Sequence, residues 1–336
     1  MWLLLVATAG VGLLAAAPWA TPGLLASAVE AGRPKLVVIA LLLLAGLCVV
    51  RPVRWPSLAV GVAAVLLHAA ALRGVPAAPP AAEDEPVWRV VHANLGDGPD
   101  LGALAAWVGG LPAGDRPDAF GFQELRPGQP AELSILLPGY APAWSLPRPD
   151  SRGGGLWLRG GVEAEGLVVE GVPSDAAGAA SGLRLPADAT RARPLARCTL
   201  RDGEPGGRPP LKLVLFSAAR PSDAARSAAR DAELGRLARL PREPGLATAW
   251  LGDFNAPPWS PPLRVAAAAA GMRLAIGGGL GGAPKTWPDG PLRWLGIPID
   301  LGLVSAGVRA SAALGPPIGS DHRPLVLTLT LTPPHR

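Results

Sequence analysis

The sequence is poor in several of the residues that usually announce a chemistry. Its 336 residues include only two cysteines, Cys48 in an apolar run and Cys198 far downstream. Neither a disulfide framework nor a zinc cluster can be built from that pair. Histidine is confined to His68, His92, His322 and His335, tyrosine to Tyr140, and lysine to Lys35, Lys212 and Lys285. Net positive charge is also scarce where it would matter. Residues 1–75 hold Arg33, Lys35, Arg51, Arg54 and Arg73 against Glu30, so they carry +4 of the net +5 and the remainder only +1. A remainder so close to neutral gives no support for a broad nucleic-acid-binding surface, which shows as a basic patch or stripe. No repeat of fixed period is visible.

What the chain does have is long charge-free stretches at its start. Residues 2–20, 36–50 and 57–72 contain no acidic or basic side chain, and His68 is their one ionisable group. A membrane-crossing helix wants roughly 20 such residues. Lys35, Arg51, Arg54 and Arg73 flank the shorter runs and can snorkel to the interface, where Trp55 also fits. Residues 1–73 therefore read as a multi-pass membrane region in contact with the lipid bilayer. Basic residues in the loops differ by one between the two sides, which fixes no orientation. Residues 74–85, GVPAAPPAAEDE, read as a Pro/Ala-rich linker.

The rest alternates apolar strand-like runs with helical patterns. Strands are predicted at 87–92, 119–122, 155–158, 167–169, 211–216, 247–251, 299–304 and 324–331. Helices are predicted at 101–108, 222–240 and 262–270. This mixture, with several Gly/Pro breaks, predicts a layered α/β domain over 86–332 with much antiparallel pairing, followed by a tail at 333–336.

Short polar groups stand at the ends of these apolar runs: Asn94 after VVHA, Glu124 after AFGFQ, Asp253 and Asn255 after ATAWLG, and Asp321-His322 before RPLVLTL. Singly, each is an ordinary turn or strand-end residue. Together they supply what phosphodiester hydrolysis needs: carboxylates for a hard divalent metal, a base for water, and donors for phosphoryl oxygens.

Gln123-Glu124, Gly252-Asp253-Phe254-Asn255, Ile299-Asp300 and Ser320-Asp321-His322 occur in the order and rough spacing of the endonuclease/exonuclease/phosphatase superfamily, which the chain resembles across 86–332. Asn255-Ala256-Pro257 with Trp259-Ser260, and Ile297-Pro298-Ile299-Asp300, resemble its bacterial members in which the domain follows a few membrane spans. The resemblance implies a DNase I-like four-layer α/β/β/α sandwich after about three transmembrane helices, with the site at one end of the sandwich. It implies Mg²⁺ or Mn²⁺ held by Glu124 with Asp321, and Asp253 orienting or activating water. Asn94 and Asn255 would contact phosphate. Asp300 and Asp321 would support the site, Asp321 orienting His322, which stabilises the phosphoryl group or acts as acid/base. It also places the soluble domain outside the cytoplasm.

One family feature is missing. A site His or Tyr is expected at the end of the 211–216 strand, where this chain has Ser217. His92, sharing a strand face with Asn94, and Arg220, with its planar fork, are the candidates to compensate by binding phosphate. The leading expectation is a membrane-anchored, metal-dependent hydrolase of a phosphoester in nucleic acid, a phospholipid head group or a small molecule, with no protein partner evident. The alternative is a degenerate member that binds a phosphorylated ligand or partner without turnover. A transport or scaffold role is disfavoured, because the apolar runs carry no buried charge to mark a substrate path.

Overall fold

The computed structural model describes residues 74–82, 85, 87–96, 98–170, 193–203, 207–277, 282–291 and 296–331. The three apolar N-terminal runs lie outside that set. Among the described residues, no helix is long and apolar enough to cross a membrane.

Among the described residues, twelve strands form two six-stranded sheets. The first contains β1 (Val87–Asn94), β2 (Ala119–Gln123), β3 (Tyr140–Leu146), β4 (Gly154–Arg159), β11 (Val308–Leu314) and β12 (Leu325–Leu331), in the order β11-β12-β1-β2-β4-β3. The second contains β5 (Val162–Glu170), β6 (Leu195–Asp202), β7 (Leu211–Ser217), β8 (Ala247–Asp253), β9 (Met272–Leu274) and β10 (Asp300–Ser305), in the order β5-β6-β7-β8-β10-β9. Each sheet has one parallel pair at its centre, β1 with β2 and β7 with β8, among antiparallel neighbours. These central strands are covered on both faces, so their sequences are apolar almost without alternation: AFGFQ in β2 and LKLVLFS in β7 are buried throughout.

Three apolar clusters define the layers. One lies between the sheets and joins Trp88, Leu156, Leu213, Leu251 and Leu327. Another seats α1 (Leu101–Gly110) and α2 (Gln129–Leu136) on the first sheet. The last seats α3 (Ala224–Ala238) and α4 (Pro261–Ala269) on the second. The expected four-layer sandwich is therefore present. Local signals set the helices. Asp100 caps α1 by accepting from Ala103 N, and Asp223 caps α3 by accepting from Arg226 N. In α3, Ser227, Arg230, Leu234 and Leu237 recur at helical spacing and form the buried stripe.

The expected linker is a correction. Residues 74–82 lie along the domain rather than apart from it: Val75 N donates to Pro258 O, Ala78 N to Leu274 O, Ala310 N donates to Pro79 O, and Ala82 N to Thr330 Oγ1. Val75 and Ala78 are buried. The physical reason is that β9 and β11 are both edge strands, and unpaired edges take up an extended segment readily. A proline-rich segment can still accept hydrogen bonds through its carbonyls. Residues 74–82 thus pack as part of the domain.

Candidate functional site

The strand directions bring the site together. Parallel β1 and β2 finish side by side, with Asn94 opposite Gln123, and parallel β7 and β8 finish with Ser217 opposite Asp253. Antiparallel β10 starts at the same edge, with Asp300 opposite Asp253. Gln123 ties the two sheets at this point: its Nε2 donates to Phe216 O, and its Oε1 accepts from Asp253 N at 3.2 Å. Gly252 makes that close approach possible. A Cβ there would stand 1.8 Å from Phe216 O, and its φ of +152° is one that side-chain-bearing residues rarely adopt.

The deepest part is a chain of acid and imidazole. Asp300 is fully buried, and both its oxygens are taken: Oδ1 by His92 Nε2 at 2.9 Å and Oδ2 by His322 Nδ1 at 2.8 Å. Thr286 Oγ1 accepts from Asp300 N at 3.1 Å and fixes the start of β10. Burial alone would raise the Asp300 pKa, but the two imidazoles overcome it and hold the carboxyl well below the usual range. For His322, burial opposes the charged form, yet Asp300, with Asp253 and Asp321, raises its pKa to about 9. Asp253 behaves oppositely: burial and the Asp300 charge push it up to about 6. At neutral pH the cluster therefore contains an ionised Asp300, a protonated His322 and an Asp253 poised close to its own titration.

Asp253 is held by amides. Its Oδ1 accepts from Asn255 N at 2.8 Å, and its Oδ2 from Asn255 Nδ2 at 3.0 Å and Asn94 Nδ2 at 3.3 Å. Asn255 Nδ2 also donates to Ala218 O. Among the described residues, Asn255 and Glu124 are the non-glycine residues with positive φ, at +47° and +56°. Such backbone costs about 1 kcal/mol or more per residue and concentrates at functional sites.

Of the residues expected from sequence, Asn94, Glu124, Asp253, Asn255, Asp300 and His322 converge at this edge. Two need correction. His92 is fully buried behind Asp300 and out of reach of phosphate, because its side chain is drawn to the carboxylate as the cross-sheet partner of His322. Asp321 does not orient His322; it is exposed, and its Oδ2 accepts from Trp287 Nε1 at 3.0 Å, while Asp300 does the orienting. Arg220 is exposed, with its guanidinium 5.7 Å from the Trp287 ring. Sequence reasoning missed Arg193, Thr286 and Trp287. Thr286 and Trp287 stand eleven or more residues before the Ile299-Asp300 pair and reach the site through a loop, so only the fold reveals them.

Two groupings invite a cation. Ligand atoms of Asp253, Asp300 and His322 all lie within 4.8 Å of one another. An ion there would have to displace the imidazoles from Asp300, however, so the grouping suits proton chemistry better than metal binding. Glu124 fits a divalent cation: its carboxylate is largely desolvated, its pKa is raised by that burial, and its nearest guanidinium, Arg193, is 4.0 Å away. The Asp321 charge also raises the Glu124 pKa, so the second expected metal residue is near it; one or two carboxylates completed by water and phosphate oxygens are an ordinary setting for Mg²⁺.

Among solved structures, the fold is similar to an endonuclease/exonuclease/phosphatase from Bacteroides vulgatus, with a TM-score of 0.53 and 18% identity over 73% of this chain and 99% of that one. It is also similar to a mannosyl-6-phosphatase of Bacteroides thetaiotaomicron (TM-score 0.50, 16% identity, 73% of this chain and 100% of that one). The human nocturnin catalytic domain is comparable (TM-score 0.50, 20% identity, 74% and 96%). At these identities the likeness concerns the fold. No curated protein matches the chain in sequence. Residues 91–322, which include all six converging site residues, match the pattern of one family, and the chain belongs to that family: the Endonuclease/Exonuclease/phosphatase family.

Proposed function

We propose that residues 74–331 form a divalent-metal-dependent hydrolase of phosphoester bonds. The observation that carries this reading is geometric: buried Asp300 bonds His322 Nδ1 at 2.8 Å and lies opposite Asp253, whose carboxylate is held by the amides of Asn94 and Asn255. Burial, then the Asp300 charge, raises Asp253 to about 6, while Asp300 raises His322 to about 9. A base that titrates near neutral pH next to a persistent acid is the pairing that general acid–base catalysis requires.

Asp253 would orient the attacking water and take its proton. The second lone pair of Oδ1 is available, since one bond from Asn255 N occupies only the first. His322 would face the phosphoryl group through Nε2, which makes no hydrogen bond among the described residues, and would stabilise the developing negative charge. Asn94 and Asn255 hold Asp253 in register and present amide groups to the same space. Glu124 is the residue that would hold Mg²⁺ or Mn²⁺, which would supply charge neutralisation at the phosphoryl oxygens. The apolar runs at 2–20, 36–50 and 57–72 support attachment of this domain to a membrane as a multi-pass protein, and an extracytoplasmic domain fits the bacterial members it resembles. The strap of residues 74–82 would then hold the domain close to its anchor.

The test is hydrolysis of bis-p-nitrophenyl phosphate by the full-length chain, with Mg²⁺, with Mn²⁺ and with EDTA, beside Asp253→Ala. Metal-dependent turnover lost in the variant is the expected result. A folded chain with no turnover under any condition would remove the hydrolytic reading and leave the binding-only alternative.

A further inference from the structure

The end of β7 carries Ser217, a short and buried side chain. The space beside it is filled from another strand. Arg193 immediately precedes Pro194 and β6, and because Leu195 pairs with Phe216, its backbone runs next to the end of β7. Arg193 Nη1 donates to Ser217 Oγ at 2.9 Å and to Ser151 O at 3.2 Å, and it stands 4.0 Å from Glu124 Oε1. The side chain is only 13% exposed. Ser217 sits opposite Asp253 in the β7–β8 register, so the guanidinium is anchored between the water-activating carboxylate and the metal-binding one.

Several features make this more than a counter-charge for Glu124. At 4.0 Å the two groups are not in hydrogen-bond contact. Nη1 is already committed to Ser217 Oγ and Ser151 O. Among the described residues, Nε and Nη2 make no hydrogen bond. An arginine tethered through one nitrogen presents its remaining N–H groups in a fixed fork, a geometry matched to two oxygens of a phosphoryl group. Its charge is also permanent, so the contact holds at every pH at which the site works.

We propose that Arg193, positioned by Ser217, binds the non-bridging phosphoryl oxygens of the substrate and supplies the electrostatic stabilisation that an imidazole or phenol on β7 would otherwise give. This inference rests on the hydrolytic reading above and names a further residue of the same site. Ser217 is then a positioning residue, because it touches Arg193 and not the substrate.

The experiment compares full-length wild type with Arg193→Ala, Arg193→Lys and Ser217→Ala. It measures kcat and KM for bis-p-nitrophenyl phosphate, inhibition by inorganic phosphate, and the melting midpoint. Arg193→Ala is expected to lower kcat/KM by roughly 10²–10³-fold, the usual cost of one oriented donor to a developing oxyanion. It should weaken phosphate inhibition in parallel, and added guanidinium ion should restore part of its activity. Lysine keeps a charge but loses the fork, so Arg193→Lys is expected to fall between wild type and alanine. Ser217→Ala is expected to raise KM and the phosphate inhibition constant together, with Arg193 still present. Wild-type turnover with Arg193→Ala within about threefold of it, and with unchanged phosphate inhibition, would overturn the inference while leaving the hydrolytic reading intact. Absence of turnover in the wild type overturns both. Should Arg193→Ala fail to fold, Arg193→Lys decides: wild-type activity and phosphate inhibition in that variant reject the bidentate contact.

Discussion

The two poles of the sandwich contain the same device with different chemistry. At one, buried Asp300 bonds two imidazoles, His92 and His322. At the other, buried Asp118, just before β2, accepts from Arg159 Nη2 and Arg208 Nη1, and also from Arg89 N. Arg208 further bonds Asp202 and lies 3.8 Å from the Trp88 ring centre, so this group clamps the β6–β7 connection to the first sheet. Guanidinium cannot release its proton in a protein, so the Asp118 cluster can only hold. Imidazole can, and the Asp300 cluster sits beside Asp253, whose proton is also labile near neutrality. A buried carboxylate between two nitrogen donors is therefore a staple or a proton store according to whether guanidinium or imidazole surrounds it.

Substitution at each pole should separate the two roles. Asp300→Asn removes the charge that keeps His322 protonated; kcat per folded molecule on bis-p-nitrophenyl phosphate should fall by about 10²–10³-fold, and stability should fall with it, because a buried carboxylate that bonds two imidazoles is lost. Asp118→Asn should cost stability alone. One arginine loses its acceptor in a buried setting, for a stability loss of about 3 kcal/mol by denaturant titration, while kcat per folded molecule stays unchanged. Loss of activity per folded molecule in Asp118→Asn, or full activity per folded molecule in Asp300→Asn, would break the contrast. A smaller effect concerns pH. His322 has its pKa raised above the ordinary 6.5 to about 9, so its contribution to stability is fully present below pH 6.5 and disappears as pH rises through 9. Denaturant midpoints should decline across that window in wild type and much less in Asp300→Asn. At the Arg-based pole no such slope is expected.

Much of this was legible in the sequence, for definite reasons. Asn94, Glu124, Asp253 and Asp300 are polar residues ending or starting strands that are otherwise buried, and that conflict is visible without a structure. The strands with uninterrupted apolar runs, such as β7 and β8, were equally plain. β3 hid behind Pro142 and a bulge at an edge. β11 hid because VRASAAL is alanine-rich and weak in β propensity, and β6 because Arg197 and Arg201 interrupt it. The edge-covering strap at 74–82 looked like a linker because composition reports stiffness and not which edges are open. Roles within the site were harder still. Asp321 is next to His322 in sequence, but the orienting carboxylate is Asp300, which antiparallel pairing brings across from Asp253. Arg193 carries no motif, and only the β6–β7 register places it beside Ser217.

The most direct test of the account is the pH dependence of kcat/KM for the full-length chain on bis-p-nitrophenyl phosphate at saturating Mg²⁺, with Asp300→Asn alongside. The account predicts a bell with an acid limb near pH 6, where Asp253 takes up its proton, and an alkaline limb near pH 9, where His322 loses its own. In Asp300→Asn the alkaline limb should move to lower pH as the charge that holds the His322 proton is lost. An alkaline limb that stays in place in Asp300→Asn would contradict the claim that Asp300 sets the protonation of His322.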